Sequence, residues 1–196
     1  MNKEKNLYLL FVIIFVLLIF YSNFIRVYYY ILDLSISILI ISFLFLFYKK
    51  FKLDKSIFVL IFIALLLHNF GLFGFYNNSP IYFSYDKLTH FFGGFALNFM
   101  FLNYLKAYFN KSKQDNIILA IFSILITLGV GSIIEIIEYL GYIILGQGEG
   151  FFYFGGTGDL GINQDSFSPW INSSFDMIFN LIGSLFGIIV YFIWEK

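Results

Sequence analysis

The chain of 196 residues contains no cysteine, and only 12% of its residues are charged. Without thiols, disulfides, iron–sulfur clusters and thiolate zinc sites are excluded. The sequence also lacks the G-x-S-x-G motif of many hydrolases and the G-x-x-x-x-G-K-[ST] nucleotide loop. By contrast, 60% of the residues are hydrophobic and 23% are aromatic. A soluble protein of this length cannot bury so much apolar surface, so the expected solvent is lipid.

Apolar windows of the length that crosses a bilayer recur six times, which predicts an all-α polytopic membrane protein with a bundle of about six transmembrane helices. The windows cover residues 7–24, 27–48, 56–75, 88–109, 117–145 and 175–194. The fifth is long for one crossing, so we expect it to be tilted, broken near Gly129 and Gly131, or extended beyond the bilayer. No small-residue cleavage site follows the first window, so it is expected to be a retained helix. A single integral membrane domain over residues 1–196 is expected.

The basic residues predict the orientation of the chain, because short loops rich in lysine and arginine stay cytoplasmic. Ten of the twelve fall on one predicted side: Lys3, Lys5, Lys49, Lys50, Lys52, Lys55, Lys106, Lys111, Lys113 and Lys196. Only Arg26 and Lys87 fall on the other side. A multi-pass protein of the cell membrane with both termini cytoplasmic is therefore expected. The loop 146–174 has no basic residue and is predicted to be external; whether it is a lid or a flexible connector stays open.

Ionisable and amide side chains gather near the predicted outer ends of the helices. They are His68, Asp86, Lys87, His90, Glu135, Glu138, Asp176 and Asn180. Three pairs are spaced three or four residues apart, as on one face of a helix: Asp86 with His90, Glu135 with Glu138, and Asp176 with Asn180. Glycines continue each stripe, and small residues let membrane helices approach closely. The polar groups are therefore predicted to face each other rather than lipid.

Charge within a membrane is costly, which favours a functional cluster over a purely structural one. We assign candidate catalytic roles to Asp86, His90, Glu135, Glu138 and Asp176. Substrate contacts are assigned to Lys87, Asn180 and His68. A divalent metal such as zinc, manganese or magnesium is an open alternative, with ligands His90, Glu135, Glu138 and Asp176, supported by His68 or Asp86.

The same residues fit two other readings. They could bind a cation or relay protons in a transporter, or pair internally as structural contacts within the bundle. Few polar residues lie on the cytoplasmic side of the cluster, Asn98, Asn103 and Thr127 among them, which favours a one-sided site. Phosphate chemistry is disfavoured because Lys87 is the lone basic group beside the cluster. No basic patch suggests nucleic-acid binding.

The segments YDKLTHFFGGFAL, IIEIIEYLGY and PWINSSFDMIFNLIGSLFG resemble the YjdF-like inner-membrane proteins and, more distantly, the VanZ-like family named for a teicoplanin-resistance protein. The similarity covers the last three predicted helices. This chain departs from the VanZ-like pattern, which usually has E-x-x-Q where Glu138 stands and an arginine before the final aspartate. The resemblance implies a polytopic membrane protein with a polar site, connected with the cell envelope or its lipids. It does not name a substrate.

Overall fold

The computed structural model describes residues 2–109, 115–146 and 168–194, and all regular structure in those ranges is helical. The described residues form six long α-helices. They are α1 (Asn2–Phe24), α2 (Tyr29–Leu46), α3 (Lys55–Asn69), α4 (Tyr85–Phe109), α5 (Asp115–Leu145) and α6 (Ser168–Trp194). A short 3-10 turn, Phe70–Phe73, extends α3. The predicted all-helical architecture is therefore confirmed for the described residues.

The start and the end of α3 show how the local sequence sets the boundaries of a helix. The carboxylate of Asp54 accepts a hydrogen bond from the backbone N–H of Ile57 at 2.9 Å and caps the first turn. After the 3-10 turn, Gly74 adopts a φ of 80°, a left-handed conformation that costs glycine little. The chain reverses there and leads to α4.

Helix α4 lies at the centre of the polar half of the molecule, where it packs against α3, α5 and α6. Its contact with α6 is closest because glycines on both helices remove the side chains between them. A Cβ added to Gly183 would collide with the backbone carbonyl of Phe91, and one added to Gly94 would collide with the backbone of Asn180. Gly187 follows one turn later against Phe95. The predicted role of these glycines in close helix packing is thus confirmed.

Within residues 2–109, 115–146 and 168–194, five helices are long and apolar enough to cross a membrane. They contain the segments Lys3–Phe24, Tyr29–Leu46, Lys55–Phe73, Asp115–Leu145 and Ile171–Trp194. Their outward faces carry large apolar side chains, including Leu17 and Phe20 of α1 and Ile189 of α6, which are more than half exposed. This surface fits a lipid environment. The remaining predicted span, α4, is 25 residues long but holds several charged and amide side chains. The predicted count of six membrane-spanning helices is therefore not established.

Several predicted boundaries need correction. Helix α6 begins at Ser168 rather than 175, so the last residues of the predicted 146–174 loop are helical. Helix α4 begins at Tyr85 rather than 88. Helix α5 runs unbroken from Asp115 to Leu145, so the break proposed near Gly129 and Gly131 is wrong. The rest of the predicted loop and its role as a lid fall largely on residues 147–167, outside the described residues.

Candidate functional site

A lysine on α4 is held between two helices by three oxygen atoms. Nζ of Lys87 lies 2.7 Å from Oδ2 of Asp86, 2.5 Å from Oδ1 of Asp176 and 2.6 Å from Oδ1 of Asn172. Asn172 also donates from Nδ2 to the other oxygen of Asp176 at 2.7 Å, one helical turn away. Asp176 is only 1% exposed. The ammonium therefore satisfies two carboxylates that would be costly to bury without a partner.

One turn further along α4, His90 faces three carboxylates. Its Nε2 lies 3.4 Å from Asp86, 3.6 Å from Asp176 and 3.9 Å from Glu135. On the other edge of the ring, Nδ1 lies 3.3 Å from Nδ2 of Asn180, whose amide is a donor. Because Nδ1 accepts this hydrogen bond, the proton of the imidazole is placed on Nε2, among the carboxylates.

We call this group the Lys87 cluster; its members are Asp86, Lys87, His90, Glu135, Asn172, Asp176 and Asn180. It contains three carboxylates, one lysine and one histidine, and joins α4, α5 and α6. One carboxylate oxygen of the cluster has no hydrogen-bond partner: Oε1 of Glu135 is buried and accepts no hydrogen bond from the described residues. It is the carboxylate oxygen that lies nearest to His90 from α5. The arrangement can hold and exchange a proton between imidazole and carboxylate.

A second polar group, the His68 cluster, consists of Asp33, His68 and Tyr76. Nε2 of His68 lies 3.3 Å from Oδ2 of Asp33, and Nδ1 lies 2.9 Å from the hydroxyl of Tyr76. Burial raises the pKa of Tyr76 well above its ordinary value, and the nearby charge of Asp86 raises it further. Tyr76 is therefore a neutral phenol at physiological pH, able to donate to His68.

Thr89 connects the two clusters. The hydroxyl of Tyr76 lies 3.5 Å from Oγ1 of Thr89, and Thr89 in turn donates to the backbone carbonyl of Asp86 at 2.7 Å. The whole His68 cluster and three members of the Lys87 cluster, Asp86, His90 and Asn180, line one cavity of about 660 Å³. Its volume is within the range of small-molecule sites, which are mostly apolar with a few converging polar groups.

The cavity has a polar end and an apolar end. The polar end is lined by Asp33, His68, Tyr76, Asp86, Thr89, His90 and Glu138. The remainder is mainly apolar, with Phe43 and Leu44 of α2, Ile61 of α3 and Leu97 and Met100 of α4. A cavity of this kind matches the chemistry of an amphiphile better than that of a small polar ion.

The structure brings together most of the residues singled out from the sequence, but in two groups. Asp86, Lys87, His90, Asp176 and Asn180 contact one another directly, with Glu135 at their edge. His68 lies apart from them, in the His68 cluster. Glu138 lines the cavity, and its charge acts on Tyr76. The catalytic and substrate-binding roles assigned to all eight residues stay predictions.

Two contributors to the site were missed. Asn172 was placed in a loop, yet it lies on the first turns of α6, four residues before Asp176. The order Ser168–Pro169 is typical of a helix start and could have revealed this, because proline suits the first helical position. Tyr76 follows the 3-10 turn, and nothing in the local sequence distinguishes it from the other aromatic residues nearby.

Two of the predicted metal ligands, His90 and Asp176, lie close to the predicted supporting ligand Asp86. Ligand atoms of Asp86, His90 and Asp176 all lie within 4.8 Å of one another. Two carboxylates and an imidazole suit manganese, zinc or magnesium. However, the Lys87 ammonium already lies against both carboxylates, so a divalent cation would have to displace it. The metal hypothesis with Glu135 and Glu138 as ligands stays a prediction.

The fold and this buried charge define the class: a helical membrane protein with a polar site inside its bundle. The chain belongs to the family described as "Predicted membrane protein (DUF2238)", which it matches over residues 6–196. The expected resemblance to YjdF-like proteins is thereby confirmed, since they form this family, whereas the relation to VanZ-like proteins is not shown. No curated protein and no solved structure matches the chain.

Proposed function

We propose that this protein binds an amphiphile, a lipid or envelope component, and performs acid–base chemistry on its polar group at the Lys87 cluster. The observation that carries the proposal is the shared cavity: His90 and Asp86 line its polar end, and aliphatic side chains line the rest. A purely structural ion pair would not require an apolar cavity beside it.

Each residue of the Lys87 cluster has a proposed role that follows from its position. Lys87 lies between Asp86 and Asp176 and holds them in place. Asn180 fixes the tautomer of His90, so that Nε2 carries the mobile proton. Glu135, with its unsatisfied Oε1 facing that nitrogen, is the group we propose as proton acceptor from His90, which itself lines the cavity. No metal ion is needed for these steps.

We also propose the orientation inferred from the sequence, with both termini cytoplasmic and the Lys87 cluster at the outer face of the cell membrane. The ten basic residues assigned to one side support it. The substrate would then be taken from the outer leaflet.

A structural role is the second candidate, and one observation favours it for Lys87. The ammonium contacts three oxygens at 2.5–2.7 Å and has little capacity left for a substrate. Structural pairing does not account for Glu135 or for the cavity. Transport through the bundle is less favoured because α4 and α6 are closed against each other at Gly94, Gly183 and Gly187.

The proposal is tested by turnover of lipids. Purified protein is reconstituted in liposomes made from a total membrane lipid extract, and lipid species are compared by mass spectrometry over time. We expect a lipid to be converted by the wild type but not by Glu135→Gln or His90→Ala. Asp115→Asn is the matched control, because it neutralises a carboxylate at the far end of α5. Equal lipid profiles with all four proteins would leave the structural role as the better explanation.

A further inference from the structure

The cavity is bordered by two helices, α2 and α5, whose backbones make few close approaches. Among the described residues, the helix pairs whose backbones approach closely at several positions are α1–α2, α2–α3, α3–α4, α4–α5, α4–α6 and α5–α6. Helices α2 and α5 both line the cavity without forming such a pair. Their lining residues Leu39, Phe43 and Ile133 are 67%, 50% and 57% exposed. The opening is therefore apolar and lies where lipid would surround the bundle.

The depth of the cavity matches one leaflet of a bilayer. Along α4, lining residues extend from Asp86 at the polar end to Met100, fourteen positions further. Along α5, they extend from Glu138 back to Thr127, eleven positions away. At a rise of about 1.5 Å per residue, these distances are about 21 Å on α4 and about 16–17 Å on α5. Half of a bilayer is about 15 Å of hydrocarbon, or about 20–22 Å with the headgroup region.

The charges around the polar end of the cavity indicate which kind of ligand headgroup could bind there. The two clusters and Glu138 bring five carboxylates together with one lysine and two histidines. The five carboxylates are Asp33, Asp86, Glu135, Glu138 and Asp176. Three of these carboxylates, Asp33, Asp86 and Glu138, line the cavity together with both histidines, whereas Lys87 does not. When these three are ionised, negative charge is in excess there even with both histidines protonated. An anionic headgroup would be repelled, whereas an amine or hydroxyl could donate hydrogen bonds to these acceptors.

We infer that the ligand is an amphiphile with an amine or hydroxyl headgroup, which enters laterally between α2 and α5. Its hydrocarbon chain lies along Phe43, Leu97 and Met100, and its headgroup lies between the Lys87 and His68 clusters. This inference rests on the proposed function and names the substrate class of that site. It also explains why the apolar end of the cavity stops at about mid-depth of the bundle.

Two glycines provide a matched pair of variants. Gly93 lines the cavity, and a Cβ added to it meets no atom within 4 Å, so a leucine there would extend into the cavity without collision at its base. Gly129 on α5 likewise has open space around an added Cβ, but it is exposed and does not line the cavity. Gly93→Leu therefore fills the ligand space, and Gly129→Leu makes the same chemical change outside it.

The experiment uses spin-labelled stearylamine and spin-labelled stearic acid as probes in proteoliposomes. Electron paramagnetic resonance gives the fraction of each probe immobilised by protein. We expect the wild type and Gly129→Leu to immobilise the amine equally, and Gly93→Leu to bind it roughly tenfold more weakly, as loss of about two buried methylenes implies. Stearic acid should be immobilised far less by all three proteins. Thermal unfolding of each purified variant verifies that it is folded.

Two results would overturn the inference: unchanged immobilisation in folded Gly93→Leu, or retention of the acid as strong as that of the amine. The assay includes no chemical step, so its outcome is separate from that of the turnover experiment. Selective binding of the amine without any lipid conversion would remove the proposed chemistry and keep the ligand class. Lipid conversion with unselective probe binding would keep the proposed chemistry and remove the ligand class.

Discussion

Nζ of Lys87 on α4 lies 2.5 Å from Oδ1 of Asp176 on α6, although 89 positions separate the two residues in the chain. The pair lies at the end of the closest contact between the described helices, where glycines bring the two backbones together. Charge and packing therefore fix α4 against α6 jointly. This contact sets the position of His90, which lies one turn from Lys87.

Loss of the lysine should destabilise the bundle. Lys87→Met leaves Asp86 and Asp176 buried without their cation, which typically costs about 3–5 kcal/mol. We expect a large drop in the midpoint of thermal unfolding in detergent. Lys55→Met, at the exposed start of α3, is the matched control and should change the midpoint little. Equal midpoints for the two variants would show that the buried ion pair contributes nothing.

The same lysine should control metal binding. Without its ammonium, Asp86, His90 and Asp176 would offer a divalent cation three ligand atoms within 4.8 Å of one another. Mn²⁺ or Zn²⁺ should then raise the thermal midpoint of Lys87→Met and leave the wild type unchanged. Adding His90→Ala to that variant should abolish the rise. Stoichiometric metal in the purified wild type, measured by elemental mass spectrometry, would contradict this prediction.

The glycines of the α4–α6 contact should tolerate no side chain. Gly183→Ala places a methyl group against the carbonyl of Phe91, so the helices must separate. Overpacking of this kind costs about 1–3 kcal/mol. Gly129→Ala adds the same methyl group in open space and should be neutral or slightly stabilising, because alanine favours the helix. Chemical denaturation of both variants measures the difference, and equal stability would argue against close packing at Gly183.

The predicted orientation can be tested directly because the natural chain has no cysteine. A single cysteine can be introduced at Asn78, between the 3-10 turn and α4, or at Lys50, between α2 and α3. We expect a membrane-impermeant maleimide to label Asn78→Cys in intact cells and Lys50→Cys only after permeabilisation. The reverse pattern would invert the orientation and place the site on the cytoplasmic side.

The sequence predicted that polar side chains of different helices face one another, and the reason is helical geometry. Spacings of three or four residues fix which side chains share a helical face, and the buried face of a membrane bundle must hold its charges. Asp86 with His90 and Asp176 with Asn180 were placed correctly relative to each other on this basis. Hydropathy was less informative at the ends of α4 and α6, because a helix that continues through polar residues carries no apolar signal. Asn172 was missed for that reason.

The division into two clusters could not be derived from depth alone. The sequence places His68 and His90 near the same predicted face of the membrane, but their positions around the bundle depend on which helices pack together. Helix α3 contacts α4, while α6 contacts α4 on another side, so His68 pairs with Asp33 instead of joining the Lys87 cluster. The cavity between α2 and α5 follows from the same packing.

The most direct test of the account is an experimental structure of the wild-type protein crystallised from a lipid mesophase. We predict density for an elongated amphiphile in the cavity between α2 and α5, with its polar end within hydrogen-bonding distance of His90 or Glu138. A structure in which α2 closes against α5 and leaves no cavity beside His90 would contradict the central claim. The Lys87 cluster would then be explained as a structural contact.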